Sequence, residues 1–239
     1  MRKFVEIVLV AAVILLIPLF LVLSSFQSLL ADEDFFYEGF EKYGVYAALP
    51  AVDVNKFHRD LIEYLISEKT DAEFSSIILN EKEKIHLVDV KNLIQPALLL
   101  WKIATIAVIL LIFLLISLQF NDWRLLRSLV AMFSIGSLLT IIILAAFLAS
   151  VLLNFSSMFV SFHEILFTND FWMLNPAVDN LKAVYADGIF YDFTVSLAIR
   201  VLVYSIILLL LSIAIFKYSR KRKALNEISR GKLENEQDS

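Results

Sequence analysis

The chain has 239 residues, of which 59% are hydrophobic and 19% charged, with a formal net charge of −4 and a mean hydropathy of +0.76. That balance excludes an ordinary soluble domain and suits a small polytopic membrane protein. No cysteine is present, which excludes a disulfide framework and a Cys₄ metal site, and no nucleic-acid partner is expected.

Four apolar runs cover residues 4–26, 98–120, 129–153 and 193–216. Each exceeds the roughly 20 residues that a helix needs to cross about 30 Å of hydrocarbon. The fold class expected is therefore mainly α: a multi-pass protein of the cell membrane, with four transmembrane helices and a small extracytoplasmic cap. The first run follows Met1-Arg2-Lys3 and is longer than the core of a cleavable signal, so it reads as a retained anchor. Arg2 and Lys3, Arg124 and Arg127, and Lys217 to Lys223 fall on one side of four crossings. The positive-inside rule puts that side, with both termini, in the cytoplasm. Segments 30–97 and 154–192 then face outward, and 217–239 reads as a basic stop followed by a polar, disordered tail.

In the first outward segment, Phe35, Phe36, Tyr37, Phe40, Tyr43 and Tyr46 with Gly39 and Gly44 look too irregular for a helix. They read as an interfacial aromatic belt, with lining of a substrate site as the alternative. Asp53 is a suitable N-cap for a helix over 54–67. His58, beside Arg59 and Asp60, reads as solvated surface. A short strand is expected over 74–79. His86 and Asp89 at i and i+3 share a helical face, so the carboxylate is expected to accept the imidazole N–H. By spacing alone, a solvated histidine in a charged helix is the plainer reading. Pro96 marks a kink or a helix join.

In the second outward segment, Phe155, Phe159, Phe162 and Leu166 continue a helical stripe out of the third span. His163 sits on its end, followed by Asn169, Asp170 and Trp172, polar groups in apolar surroundings that must be satisfied. Asn175-Pro176 reads as a turn, and Gly188 as a break before the last helix. Arg200 and Lys102 lie inside spans, where ionisable groups are functional candidates. Both are shallow enough to snorkel; the alternatives are a lipid phosphate or carboxylates such as Asp170 and Asp192.

Several enzyme templates are absent. His163-Glu164 begins like HExxH, but Phe167 stands where the second ligand belongs. No GxSxG elbow, Walker loop or GxGxxG occurs. A zinc site from His86, His163 and Asp89 stays open by residue type, although no metal and no cofactor is expected.

The motif His86-Leu87-Val88-Asp89-Val90-Lys91, with Phe162-His163, Phe167, Asn169-Asp170, Trp172, Asn175-Pro176, Gly188, Phe190 and Asp192, resembles the Lit family, lipoprotein intramolecular transacylases of Gram-positive bacteria. The resemblance runs over nearly the whole chain and includes Phe36-Tyr37, Gly39-Phe40 and Tyr43. One departure is Asn175, where the family pattern has Asp before the proline. The resemblance implies an acyltransferase that moves the sn-2 acyl chain of a diacylglyceryl lipoprotein to the α-amino group of its N-terminal cysteine, giving the lyso form. It implies His163 as the acid–base residue and His86, helped by Asp89, as the group that orients or polarises the ester. Asn169, Asp170 and Trp172 would support them. The partners implied are the lipoprotein substrate and membrane lipid, with the site at the outer leaflet. The alternatives are a membrane subunit or sensor that binds lipid or peptide, and a lipid acyl hydrolase.

Overall fold

The computed structural model describes residues 1–67, 78–119 and 123–237, with side chains through 224 apart from that of residue 123. All regular elements among them are helical: α1 (Arg2–Leu30), α2 (Glu33–Lys42), α3 (Val45–Ala48), α4 (Val54–Ile66), α5 (Glu81–Gln119), α6 (Trp123–Leu153), α7 (Phe155–Leu166), α8 (Asn180–Val184) and α9 (Asp187–Gln237). Four of them, α1, α5, α6 and α9, are long and apolar enough to cross a membrane. The strand expected over 74–79 lies, as far as residue 77, outside the described residues.

The chain divides into two units. One comprises Met1–Leu21, Ala104–Ile143 and Leu202–Ser239. Its core is a stripe on α1, with Leu9, Val13, Ile17 and Leu21 recurring every fourth residue against Leu115 and Met132. Gly136 permits close approach of α6, because a Cβ there would stand 2.9 Å from Ile17 Cβ. Glu6 is buried and accepts from Arg2 Nε at 3.1 Å, Gln119 Nε2 at 3.1 Å and Arg124 at 3.2 Å. A buried carboxylate needs partners of this kind. α9 is helical through Gln237, where the composition suggested a disordered tail; its Glu, Lys, Arg and Leu residues all favour helix.

The other unit comprises Val22–Ile103 and Leu144–Val201. The aromatic stretch that looked irregular is helical after all. Asp32 caps α2 by accepting from Phe35 N at 3.2 Å, Glu33 and Asp34 occupy the first turn, and Lys42 the last. Gly44 then takes a left-handed conformation, φ 69°, and starts α3. Asp53 caps α4 as expected, accepting from Lys56 N at 2.9 Å. Gln95 donates to the carbonyls of Leu65 and Ser67 at the end of α4. Pro96 sits inside a continuous α5 rather than at a join. Gly188 lies in the first turn of α9 and does not break it. Its missing side chain leaves room for the Tyr43 ring, and Tyr43 and Lys42 both bond to Asp192, at 3.0 and 2.6 Å.

His58 is not at the surface. It is fully buried among Phe36, Phe40, Leu61 and Tyr185. Its Nδ1 is 2.8 Å from Tyr185 Oη, and its ring lies 4.3 Å from that of Phe36. Nε2 is enclosed without a partner. Desolvation pushes this imidazole down to about 4 from 6.5, so it folds neutral.

Between those two values the unfolded chain binds more protons at this position than the folded one. The contribution to stability is therefore complete above pH 6.5 and is lost as pH falls toward 4. Over the whole window it amounts to about 3 kcal/mol. His58→Phe should flatten the fall of the thermal midpoint across that window, measured on purified protein in detergent. Equal slopes for variant and wild type would show that His58 does not titrate on unfolding.

Candidate active site

The site is built at the start of α5, the end of α7 and the loop after it, all within the second unit. α5 begins with a capping box that the sequence reading missed, although Asn80-x-x-Glu83 was legible. Glu83 N donates to Asn80 Oδ1 at 3.0 Å, and Asn80 N donates to Glu83 Oε2 at 2.7 Å. The other oxygen of this fully buried carboxylate accepts from Leu181 N in α8. Asn80 Nδ2 also donates to Asp179 at 2.7 Å, and Asp179 accepts from Asn175 N at 2.6 Å. These backbone and side-chain bonds hold the Asp179 carboxyl below its usual range. His86 follows Glu83 by one turn and so inherits a fixed position.

α7 is a separate helix and not a continuation of α6. Asn154 interrupts the two and caps α7, accepting from Ser157 N at 3.0 Å. His163 lies in its last turn. Four aromatic rings enclose the imidazole: Phe159 at 4.1 Å between centroids, Trp172 at 4.9 Å and tilted by 30°, Phe162 at 5.4 Å and Phe167 at 5.6 Å. The His86 and His163 rings are 6.4 Å apart, and Phe167 also packs edge-on against His86 at 5.3 Å.

The two imidazoles hold their protons differently. His163 Nδ1 is 2.7 Å from the Phe159 carbonyl oxygen. A carbonyl only accepts, so Nδ1 carries the hydrogen and Nε2 keeps the lone pair. Burial, and secondarily the Lys182 charge, lower the imidazole pKa despite that hydrogen bond. His163 is thus a neutral base with one defined basic nitrogen. His86 Nδ1 is buried without a partner. A bare buried acceptor costs less than a buried N–H with nothing to donate to. The proton of neutral His86 therefore belongs on Nε2, which makes it a donor. One ring accepts through Nε2 and the other donates through Nε2.

Asp89 does not bind His86. It accepts from Asn169 Nδ2 at 2.9 Å, while Asn169 Oδ1 accepts from Phe171 N at 3.0 Å. The carboxylate fixes the loop that carries Trp172 instead of the imidazole one turn away. A rigid amide brought in by that loop has outcompeted the local i, i+3 pairing. Asp170 is exposed, and its backbone carbonyl accepts from Met173 N. Arg200 pairs with Asp32 and donates to Ser28 Oγ at 2.8 Å, so its carboxylate partner is neither Asp170 nor Asp192. Lys102 is exposed on α5. Neither cation joins the histidine pair. No three His, Asp or Glu side chains gather in metal-binding geometry among the described residues.

A sequence model described as "Lipoprotein intramolecular transacylase Lit" matches residues 11–190. The in meso structure of the membrane integral lipoprotein intramolecular transacylase Lit from Bacillus cereus superposes with a TM-score of 0.77 at 20% identity, covering 93% of this chain and 99% of that one. Two variants of the same Bacillus cereus protein, each with one histidine replaced, by arginine or by alanine, superpose with TM-scores of 0.75 at 19% identity. They cover 92% of this chain and 96% and 97% of theirs. At such identities the likeness establishes the shared fold. No curated relative matches by sequence.

Proposed function

The chain belongs to the Lit family of lipoprotein intramolecular transacylases, and we propose that it moves the sn-2 acyl chain of a diacylglyceryl lipoprotein to the α-amino group of its N-terminal cysteine. The observation that carries the catalytic reading is the neighbouring pair of imidazoles, 6.4 Å apart, with His163 Nδ1 held by the Phe159 carbonyl and His86 Nδ1 enclosed. His163 Nε2 takes a proton from the amine as its nitrogen attacks the ester carbonyl. The tetrahedral adduct then collapses, the carbon–oxygen bond to glycerol breaks, and the same proton passes to the departing glyceryl oxygen. His86 donates its Nε2–H to the acyl donor, orienting and polarising the ester. An amide forms, an ester is lost, and no acyl-enzyme intervenes. Donor and acceptor belong to one molecule, so positioning supplies much of the acceleration. A chain without cysteine is suited to that economy. Asn169, Asp89 and Trp172 hold the His163 ring in place.

The basic residues support a topology with both termini in the cytoplasm and the histidine site at the outer leaflet. Because the chain has no cysteine, one introduced thiol reports one position. Leu174→Cys should react with an impermeant maleimide in intact cells and Lys223→Cys only after lysis; the reverse pattern would invert the topology.

Expressed in a host without N-acylating enzymes, the chain should convert diacyl lipoproteins to the lyso form. Mass spectrometry should find one acyl group moved to the amine at unchanged total mass. Release of free fatty acid would indicate a hydrolase, and unaltered lipoproteins a binding protein. Variants separate the roles of the two histidines. His163→Ala should lower turnover by about 10²–10⁴-fold, the range for losing a general acid–base. His86→Asn, which keeps a donor, should be milder than His86→Ala. Asp89→Asn should be milder still, since its bond to Asn169 acts through the loop. Wild-type turnover should fall as pH drops through the depressed His163 pKa, where the base becomes protonated. A fully active His163→Ala protein would remove the assignment.

A further inference from the structure

Beside the His163 ring lies a cavity of about 220 Å³ whose walls include Phe155, Ser156, Phe159, Trp172, Lys182 and Asp187. Two of those residues, Phe159 and Trp172, are also rings packed on the His163 imidazole. The cavity and the base therefore share two walls. The cavity is smaller than the ~300–1,000 Å³ of pockets that enclose whole ligands. It has room for a functional group and a few carbons.

The cation in this wall is unusual for a lysine. Lys182 stands in α8 with its side chain only 18% exposed. Its Nζ lies 5.5 Å from the centre of the Phe159 ring. It is paired with Asp187, whose side chain is 67% exposed. Water screens that carboxylate far more than the ammonium, so the pair presents a net positive field to the cavity. Lysine is seldom buried this far unless it is paired, and Asp187 supplies the pair. An ammonium has three N–H donors, and the pair with Asp187 leaves others to offer.

We propose that this cavity receives the carbonyl of the reacting ester and that Lys182 Nζ donates a hydrogen bond to the oxygen on which negative charge develops. The inference rests on the transacylase reading and names a residue that this reading did not use. When the amine nitrogen bonds to the carbonyl carbon, the carbonyl π pair moves onto oxygen, where the ammonium stabilises it. When the adduct collapses, that pair re-forms the carbonyl of the new amide, and the bond to glycerol breaks. The glyceryl oxygen leaves with the proton from His163. Lys182 gives up no proton in either step. Its charge opposes protonation of nearby groups, consistent with its lowering of the His163 pKa, and it likewise favours the neutral, nucleophilic form of an amine bound there.

The test uses the purified full-length chain and a synthetic lipopeptide carrying a diacylglyceryl cysteine with a deuterated sn-2 chain. Lys182→Met should lower kcat by about 10²–10³-fold, the cost of losing one oxyanion donor, with a much smaller change in KM. Its acidic limb should move to higher pH, and the His163 ring, followed by NMR in histidine-labelled protein, should titrate higher than in wild type. Lys182→Arg should restore most of kcat and return both titrations toward wild type. Wild-type-like kcat in Lys182→Met would overturn the proposal. So would a loss that Lys182→Arg does not recover and that leaves the His163 titration unmoved, the pattern of a structural role. A wild-type chain that moves no deuterated acyl group would remove the transacylase reading itself, and this proposal with it.

Discussion

The buried carboxylate of Glu83 is the constraint on which the site depends. A carboxylate with no exposure to water is tolerated only when donors surround it, and here the donors are the backbone N–H groups of Asn80 and Leu181. One belongs to the turn that starts α5 and the other to α8, 98 residues away. Breaking either bond leaves charge stranded in an apolar core. That makes the join far more specific than hydrophobic contact between the same helices would be. Asp179 adds a second layer by binding Asn80 and the Asn175 turn. The start of α5, α8 and the loop before it are thereby fixed together, and both His86 and Lys182 stand on the elements so fixed.

His163 is held by different means. Its ring rests on its own helix, through the Phe159 carbonyl four residues earlier, and is enclosed by aromatic faces. That helix exists as a separate element because Asn154 ends α6 and caps α7. The Asp89–Asn169 bond then folds the following loop back, so that Trp172 covers the imidazole. The residue that resembled a direct partner of His86 thus serves the other histidine, by way of the backbone.

What the sequence showed and what it concealed follow from range. The four spans were legible because apolar length is a local property, and the Asp53 cap because capping involves three residues. α2 was hidden by aromatic density, although Asp32, Glu33, Asp34 and Lys42 mark both of its ends. His58 was misread from its charged neighbours Arg59 and Asp60. Its spacing from Val54, Leu61 and Leu65 places it on the buried stripe of α4, and that periodicity was the better guide. The pairing of His86 with His163 came from the outward side that both share in the expected topology and then from the family motif; no local pattern joins residues 77 positions apart. The partners of Asp89, Arg200 and Glu83 are long-range polar bonds, 80, 168 and 98 residues apart. Composition carries no record of such choices among chemically equivalent partners.

The depressed basicity of His163 suits the harder half of the proposed reaction. Once the amine nitrogen has bonded to carbon, its N–H is strongly acidic, and even a weak base removes it. A glyceryl alkoxide, by contrast, is a poor leaving group that departs only as it is protonated. Lowering an imidazole pKa weakens the base and strengthens its conjugate acid by the same amount, and Brønsted behaviour directs that gain to the step that needs it. Enclosure among Phe159, Phe162, Phe167 and Trp172 therefore tunes the chemistry as well as the shape of the site. In an acyl transfer of this kind, exclusion of water is what separates transfer to an amine from hydrolysis.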